Sequence, residues 1–438
     1  MTMVHEYKAS STVETQVPAV LPARLQPPIF GCALIPRARV HRALPTHDAG
    51  GAALTVVAAP AGSGKTAALT EWTHAVRASG TRVSWLTVLA EDNDVATFAT
   101  DLCAALCIDG DMEPIPGPAA ATAQEAADAV MAVVARRPDP IVLVLDDVQQ
   151  LRSPESLEML DLLARFHAGR LRLVMAGRYE PAMGLSRLRL EGALVALTAD
   201  DLAFTPAEAE QIFAQHLLAL DGPDLAALMT RTGGWAAGLR MAAIALVGSD
   251  DVSARIAEFS GDTRTVADYL ADEILGALPD AMRLFMIATA QADFFTVDYA
   301  EAVGATPDAG LMLDDLAQRN CMVVRHEGPD PRFSYHPLLR SYLLAELNRQ
   351  PERVRCEIHG RLAEWFARAG EPVAALEHAV EAGPADDALS DAFAAQGIRA
   401  VLDGGSAALL ALLATVPPLR VFAAGRRTRT GCRRDRRW

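Results

Sequence analysis

Residues Ala59-Pro60-Ala61-Gly62-Ser63-Gly64-Lys65-Thr66 have the composition of a loop that wraps a chain of phosphates. Gly62 and Gly64 let the backbone curl until successive N–H groups point inward, and the helix that follows adds the partial positive charge of its N-terminus. Lys65 is the cation expected on the β- and γ-phosphates, and the Thr66 hydroxyl is a ligand for Mg²⁺. Ala59 stands where the pattern prefers glycine, a departure that many phosphate loops tolerate. The flanks supply the required context. Leu54-Thr55-Val56-Val57-Ala58 reads as a buried parallel strand, and Ala67-Ala68-Leu69, Trp72 and Ala75-Val76 fall on one face of a helix.

A second constellation lies at Ile141-Val142-Leu143-Val144-Leu145, an apolar run closed by Asp146-Asp147. A short run with no polar alternation predicts a central strand of a parallel sheet, and ligands bind beyond the carboxyl ends of such strands. There Asp146 would hold Mg²⁺ through water, and Asp147 would orient or deprotonate the attacking water. A third candidate is Arg178, just past the predicted strand Leu171-Arg172-Leu173-Val174-Met175-Ala176. An arginine at that edge can report whether the γ-phosphate is present.

The elements that must position these groups are legible in the pattern. Ile35 to Leu44 predicts a short basic helix ahead of the sheet; in nucleotide switches such a segment often lies over base and ribose, which makes Arg37 a candidate contact. Val83 to Val88 predicts another strand. Thr97 to Leu106 and Ala119 to Ala135 predict helices, as does Ser153 to Phe166, with Ser153 as N-cap and Pro154 at its first position. From Thr205-Pro206-Ala207-Glu208, an N-cap with a capping-box glutamate, the pattern turns helical. Cys321 to Arg325 and Arg332 to Tyr335 predict a β-hairpin, followed by a helix from Pro337. Beyond Glu352 the chain is an Ala/Leu helical array resembling one or two tetratricopeptide-like units.

Composition narrows the function classes. With 438 residues, 51% hydrophobic and 22% charged, the chain has material for several globular domains. A net charge of −15 disfavours nonspecific nucleic-acid binding by its body. The charge is uneven: from Arg420 onward eight arginines face one aspartate, a local +7 that leaves −22 on the rest. Cys32, Cys103, Cys107, Cys321, Cys356 and Cys432 are scattered without paired spacing and predict reduced structural thiols. The polar N-terminus and the lack of a long apolar run point to the cytoplasm.

Taken in order, several segments resemble the large ATP-binding, MalT-like regulators of the LuxR family, part of the signal-transduction ATPases with numerous domains. They are Leu34-Ile35-Pro36-Arg37, the phosphate loop, Val144-Leu145-Asp146-Asp147, Asp200 to Thr205, Thr232-Gly233-Gly234-Trp235-Ala236-Ala237-Gly238-Leu239 and Tyr335-His336-Pro337-Leu338-Leu339-Arg340. The resemblance covers roughly residues 29 to 415. It implies an α/β P-loop nucleotide-binding domain with a parallel sheet, then a helical domain, a winged helix and the start of a helical-repeat sensor. The expected boundaries are a loose arm over 1–28, then 29–204, 205–282, 283–350 and 351–419. It also implies that His336 touches the β-phosphate of ADP, near enough to its ordinary titration range for the phosphate to favour the imidazolium. Ala236 replaces a proline that in the family contacts the nucleotide.

By the same resemblance the expected function is an ATP/ADP-dependent conformational switch with slow hydrolysis, Mg²⁺ as cofactor, self-association in the ATP state and an inducer of unknown chemistry. A stand-alone P-loop ATPase or phosphotransferase is the alternative. The Arg-rich stretch over 420–438 lacks helical periodicity and reads as aberrant, with a basic nucleic-acid arm as the alternative, so the chain is expected to stop before the family's helix-turn-helix, leaving DNA to a missing domain.

Overall fold

The computed structural model describes residues 22–45, 52–107, 122–166, 169–383 and 386–415. Its residues fall into two compact units. One comprises the chain to Gln215 together with Trp235–Ala237, and the other comprises His216–Gly234 and everything from Gly238.

The first unit is built on five parallel strands: β1 (Leu54–Ala58), β2 (Val83–Thr87), β3 (Ile141–Asp146), β4 (Leu171–Gly177) and β5 (Leu194–Leu197). Their order is β2-β3-β4-β1-β5, so β4 lies between the strand that leads into the phosphate loop and the strand that ends in the paired aspartates. The apolar runs follow from this burial. Leu143 and Leu145 pack on one face with Leu54, Val56, Leu173 and Met175. Val142 and Val144 pack on the other with Val57, Val174 and Trp85. A strand covered on both faces needs apolar side chains at every position, and all six residues of β3 are buried.

Helices α1 (Lys65–Ala78), α2 (Val95–Cys107), α3 (Ala123–Ala135) and α4 (Pro154–Arg165) clothe the sheet. Two of the starts have a capping side chain. Thr122 and Glu125 close a capping box at α3, and Ser153 caps α4 with Pro154 at its first position. The part of the predicted Ala119–Ala135 helix before Thr122 lies outside the described residues. The basic helix predicted from Ile35 to Leu44 is a single turn, Ala38–His41, because Arg37 is held off helical geometry at φ −114°, ψ 81°. Strand β5 had no counterpart in the sequence reading.

The loose arm expected over 1–28 is corrected from Pro22 onward, where the chain forms a short 3-10 turn, Pro22–Leu25. Arg24 donates to the Thr87 carbonyl and pairs with Asp101 (2.7 Å) and with the fully buried Asp92 (2.5 Å). A guanidinium between two desolvated carboxylates is a strong anchor, because removing it would strand their charge. Residues 1–21 and 416–438, including Cys432 and the Arg-rich stretch, lie outside the described residues.

In the second unit, α5 (Gly222–Thr232) and α6 (Gly238–Leu246, the part of Ala236–Leu246 that belongs to this unit) begin a helical region. Farther on, α7 (Asp280–Thr289), α8 (Val297–Gly304) and α9 (Ala309–Gln318) precede an antiparallel hairpin, β6 (Val323–His326) with β7 (Arg332–Tyr335), and α10 (Pro337–Arg349) follows. The Tyr335 hydroxyl lies 2.7 Å from Thr289 Oγ1, which fastens the hairpin to α7. Arg340 fastens α10 through the carbonyls of Ala290 and Gln291. Four further helices, Glu352–Ala369, Pro372–Glu381, Asp386–Leu402 and Ser406–Thr415, form the array. Among the described residues, no helix is long and apolar enough to cross a membrane.

Candidate functional site

The phosphate loop leaves β1 with Gly62 and Gly64 in the left-handed region, at φ 73° and 77°. A side chain at Gly64 would be strained there and would also crowd Ala236 Cβ at 3.3 Å. Most of the loop's carbonyls are held. Lys65 Nζ donates to Ala59 and Pro60 (2.8 and 2.9 Å). Trp235 Nε1 donates to Ala61 at 3.0 Å, and the Ala237 N–H to Gly62 at 3.0 Å. Arg37 donates to Gly64 at 2.8 Å. These bonds fix the path of the loop between β1 and α1, where a phosphate loop presents backbone N–H groups to an anion.

Arg37 is almost fully buried, with its other branch on the Leu202 carbonyl (2.7 Å) and its guanidinium 4.8 Å from the centre of the Phe204 ring. Burial lowers its pKa to about 10. The position of Arg37 predicts a nucleotide contact; its guanidinium instead lies against the loop's backbone, as a brace. The tripeptide Trp235-Ala236-Ala237 is likewise packed into the first unit at the loop.

At the carboxyl edge of β3, Asp146 is buried and accepts from the Asp147 N–H (3.1 Å) and from the Thr66 hydroxyl. Burial first, and the charge of Asp147 second, raise its pKa to about 6. Burial lowers that of Lys65 to about 8, opposed by Asp146 and Asp147 and assisted by Arg178. These electrostatic contacts join Lys65, Thr66, Asp146, Asp147 and Arg178 into one constellation drawn from the start of α1 and the carboxyl ends of β3 and β4. The register agrees, since Ala58, which leads into the loop, pairs with Gly177, next to Arg178, and Leu145, next to Asp146, pairs with Met175 of β4.

The oxygen set of Thr66 and Asp146 is hard and compact, which fits Mg²⁺. A metal there would favour the ionised form of Asp146, and phosphates on the loop would favour the ammonium of Lys65. Asp147 occupies the left-handed region at φ 61°, ψ 36°, which turns its carboxylate away from the strand direction. Non-glycine residues seldom adopt that conformation, and aspartate is among the few that tolerate it.

His336 needs a correction. It begins α10 as its N-cap: Nδ1 accepts from the Leu338 N–H (3.3 Å), so Nε2 carries the proton and donates to the Thr232 carbonyl (2.9 Å). Burial pushes its pKa down to about 4, so it is a neutral cap at physiological pH and does not titrate near neutrality. The unfolded chain takes up this proton near pH 6.5. Its contribution to stability is therefore complete above about 6.5 and is lost as pH falls toward 4. The loss is at most about 3 kcal/mol, and less because part of the ring is exposed. Urea unfolding at pH 7.5 and pH 5 should show this drop, and His336→Gln should flatten it. An equal drop in both proteins would mean that another group causes it.

Comparison with known proteins agrees with this architecture. Residues 47–182 match the AAA domain family, and residues 271–355 match the MalT winged helix domain. The chain is 24% identical over 389 residues to the serine/threonine-protein kinase PknK of Mycobacterium tuberculosis, covering 86% of this chain and 35% of that protein. It is 27% identical over 344 residues to the HTH-type transcriptional regulator MalT of Cronobacter sakazakii, covering 76% of this chain and 37% of that protein. It thus spans about a third of the length of these curated relatives. Among solved structures, a Walker-type ATPase of Pyrococcus abyssi superposes with a TM-score of 0.49 at 13% identity, over 70% of this chain and 93% of that one. The chain thus resembles the MalT-like P-loop proteins: a match to the AAA domain is followed by a helical region and a match to the MalT winged helix domain.

Proposed function

We propose that the chain is the nucleotide switch of a cytoplasmic regulator. It binds ATP with Mg²⁺ on residues 59–66, hydrolyses it slowly, and holds different conformations with ATP and with ADP. The observation that carries this reading is the convergence of Lys65, Thr66, Asp146, Asp147 and Arg178 at one end of the parallel sheet. When bound, Mg²⁺ supplies charge neutralisation for the phosphates. Thr66 and Asp146 would hold it, Asp147 would orient the attacking water, and Arg178 would distinguish ATP from ADP.

The regulatory part of the reading is supported by the order of the matched segments. PknK and MalT are named for different outputs, yet each shares a region covering most of this chain. A shared region beside different outputs is what a switch module requires. On this reading residues 29–204 bind nucleotide, 205–282 form a helical connector and 283–350 the winged helix, while 351–419 begin a tetratricopeptide-like sensor for an inducer. The ATP form would self-associate and the ADP form would stay monomeric.

A ligand shifts a conformational equilibrium only by its differential affinity for the two states. The test is therefore comparative: analytical ultracentrifugation and limited proteolysis with ADP, and with a slowly hydrolysed ATP analogue plus Mg²⁺. Different cleavage patterns, with association only in the analogue, are expected. Identical behaviour accompanied by steady turnover would favour a stand-alone ATPase or phosphotransferase.

A further inference from the structure

Gln149, two residues beyond Asp147, makes a bridge that the sequence reading passed over. Its Nε2 donates to Asp147 Oδ1 at 2.9 Å, and its Oε1 accepts from the Arg178 N–H at 3.1 Å. The two partners fix the amide's orientation, since a carboxylate only accepts and a backbone N–H only donates; a flipped amide would satisfy neither. The bridge is anchored at its base, where the Tyr179 hydroxyl donates to the Gln149 carbonyl (3.3 Å). The facing surface is shaped for it. A Cβ at Gly177 would lie 3.3 Å from Gln149 Oε1 and 2.8 Å from Val148 Cγ2, so only glycine lets the 148–149 turn sit this close to the end of β4.

Asp147 needs such a hold. Its left-handed backbone is irregular, and a carboxylate beyond a strand end is otherwise free to rotate. Holding Oδ1 fixes the plane of the carboxylate and leaves Oδ2 to take the proton of an attacking water. The same amide ties that carboxylate to the backbone of Arg178, at the end of the neighbouring strand.

We infer that Gln149 is a positioning residue for nucleotide hydrolysis: its amide sets the orientation of the Asp147 carboxylate and locks it to the β4 terminus that carries Arg178. This rests on the reading of the site as an ATPase. The inference predicts a split between chemistry and binding. A misoriented base slows proton transfer but leaves the phosphate contacts of Lys65 intact, and general-base effects are worth roughly 10²- to 10⁴-fold in total.

The experiment uses the full chain, with single-turnover hydrolysis of ATP and equilibrium binding of Mg-ATP measured on wild type, Gln149→Ala, the near-isosteric Gln149→Glu, Asp147→Asn and Asp147→Asn/Gln149→Ala. Both Gln149 variants are expected to lose about 10-fold or more in rate while affinity stays within about twofold. In the Asp147→Asn background, Gln149→Ala should cost nothing further, because groups acting as one unit are not additive. Wild-type rates in both Gln149 variants beside an inactive Asp147→Asn would overturn the inference and leave the ATPase reading standing. Parallel losses of affinity, rate and thermal stability would also overturn it, by making Gln149 merely structural. A wild-type rate in Asp147→Asn would remove Asp147 as the base, and the inference with it; absence of hydrolysis in the wild type would instead remove the ATPase reading itself.

Discussion

Asp147→Asn is expected to slow ATP hydrolysis by roughly 10²- to 10⁴-fold while leaving Mg-ATP affinity within a few-fold of wild type. The substitution is well suited to the position. Asparagine is among the few residues that tolerate the left-handed region, so the φ of 61° at this site is retained. Its Oδ1 can still accept from Gln149, so the turn at the end of β3 keeps its bonds. What disappears is the capacity to take a proton. Asp146→Asn should behave differently. Asp146 is the buried partner of Thr66, so its loss should remove the Mg²⁺ dependence of binding before it alters the chemistry. Single-turnover rates beside Mg²⁺ titrations of ATP binding separate the two roles. Wild-type hydrolysis in both variants would mean that the aspartates merely end a strand.

The central sheet was legible because burial on both faces leaves a simple trace. The runs at Leu54–Ala58 and Ile141–Asp146 are apolar at almost every position, and both became strands with the phosphate loop and the paired aspartates at their carboxyl ends. Strand β5 escaped notice for the opposite reason. It has four residues at the sheet's edge, with Ala196 exposed and only Leu197 fully buried, so neither an apolar run nor an alternation marks it. The single-turn helix at Ala38–His41 was overextended because the spacing of apolar residues carries no sign that Arg37 leaves helical geometry to reach the carbonyls of Gly64 and Leu202.

Long-range polar contacts were the least visible. Trp235 and Ala61 are 174 residues apart, and nothing in either segment announces the indole-to-carbonyl bond. Arg24 sits in a stretch that reads as a loose arm, yet it is paired with Asp92 and Asp101. His336 was expected near its ordinary titration range because a sequence contains no desolvation; burial moves it well below, against the hydrogen bond to the Thr232 carbonyl, which raises it. Gln149 did carry a weak signal, an amide two residues past a pair of carboxylates at a carboxyl-edge turn. Its meaning depends on β4 lying next to β3, which only the strand order supplies.

Lys65 offers the most direct test of the central claim that this loop binds nucleotide. Its ammonium now rests on the carbonyls of Ala59 and Pro60, with its pKa lowered to about 8 by burial, so the cation is already desolvated and lies inside the loop. Phosphate oxygens would give it a charged partner in place of neutral ones. A charge-assisted contact of this kind contributes about 1.5–3 kcal/mol, or roughly 10- to 150-fold in affinity. Lys65→Ala removes that contact but leaves Thr66, Asp146 and the braces from Trp235 and Arg37 in place. The decisive measurement is calorimetric titration of Mg-ATP into wild-type protein and into Lys65→Ala, with thermal unfolding confirming that both are folded. The account predicts binding by wild type and a loss of affinity in that range for the variant. Equal affinities in two folded proteins would contradict it.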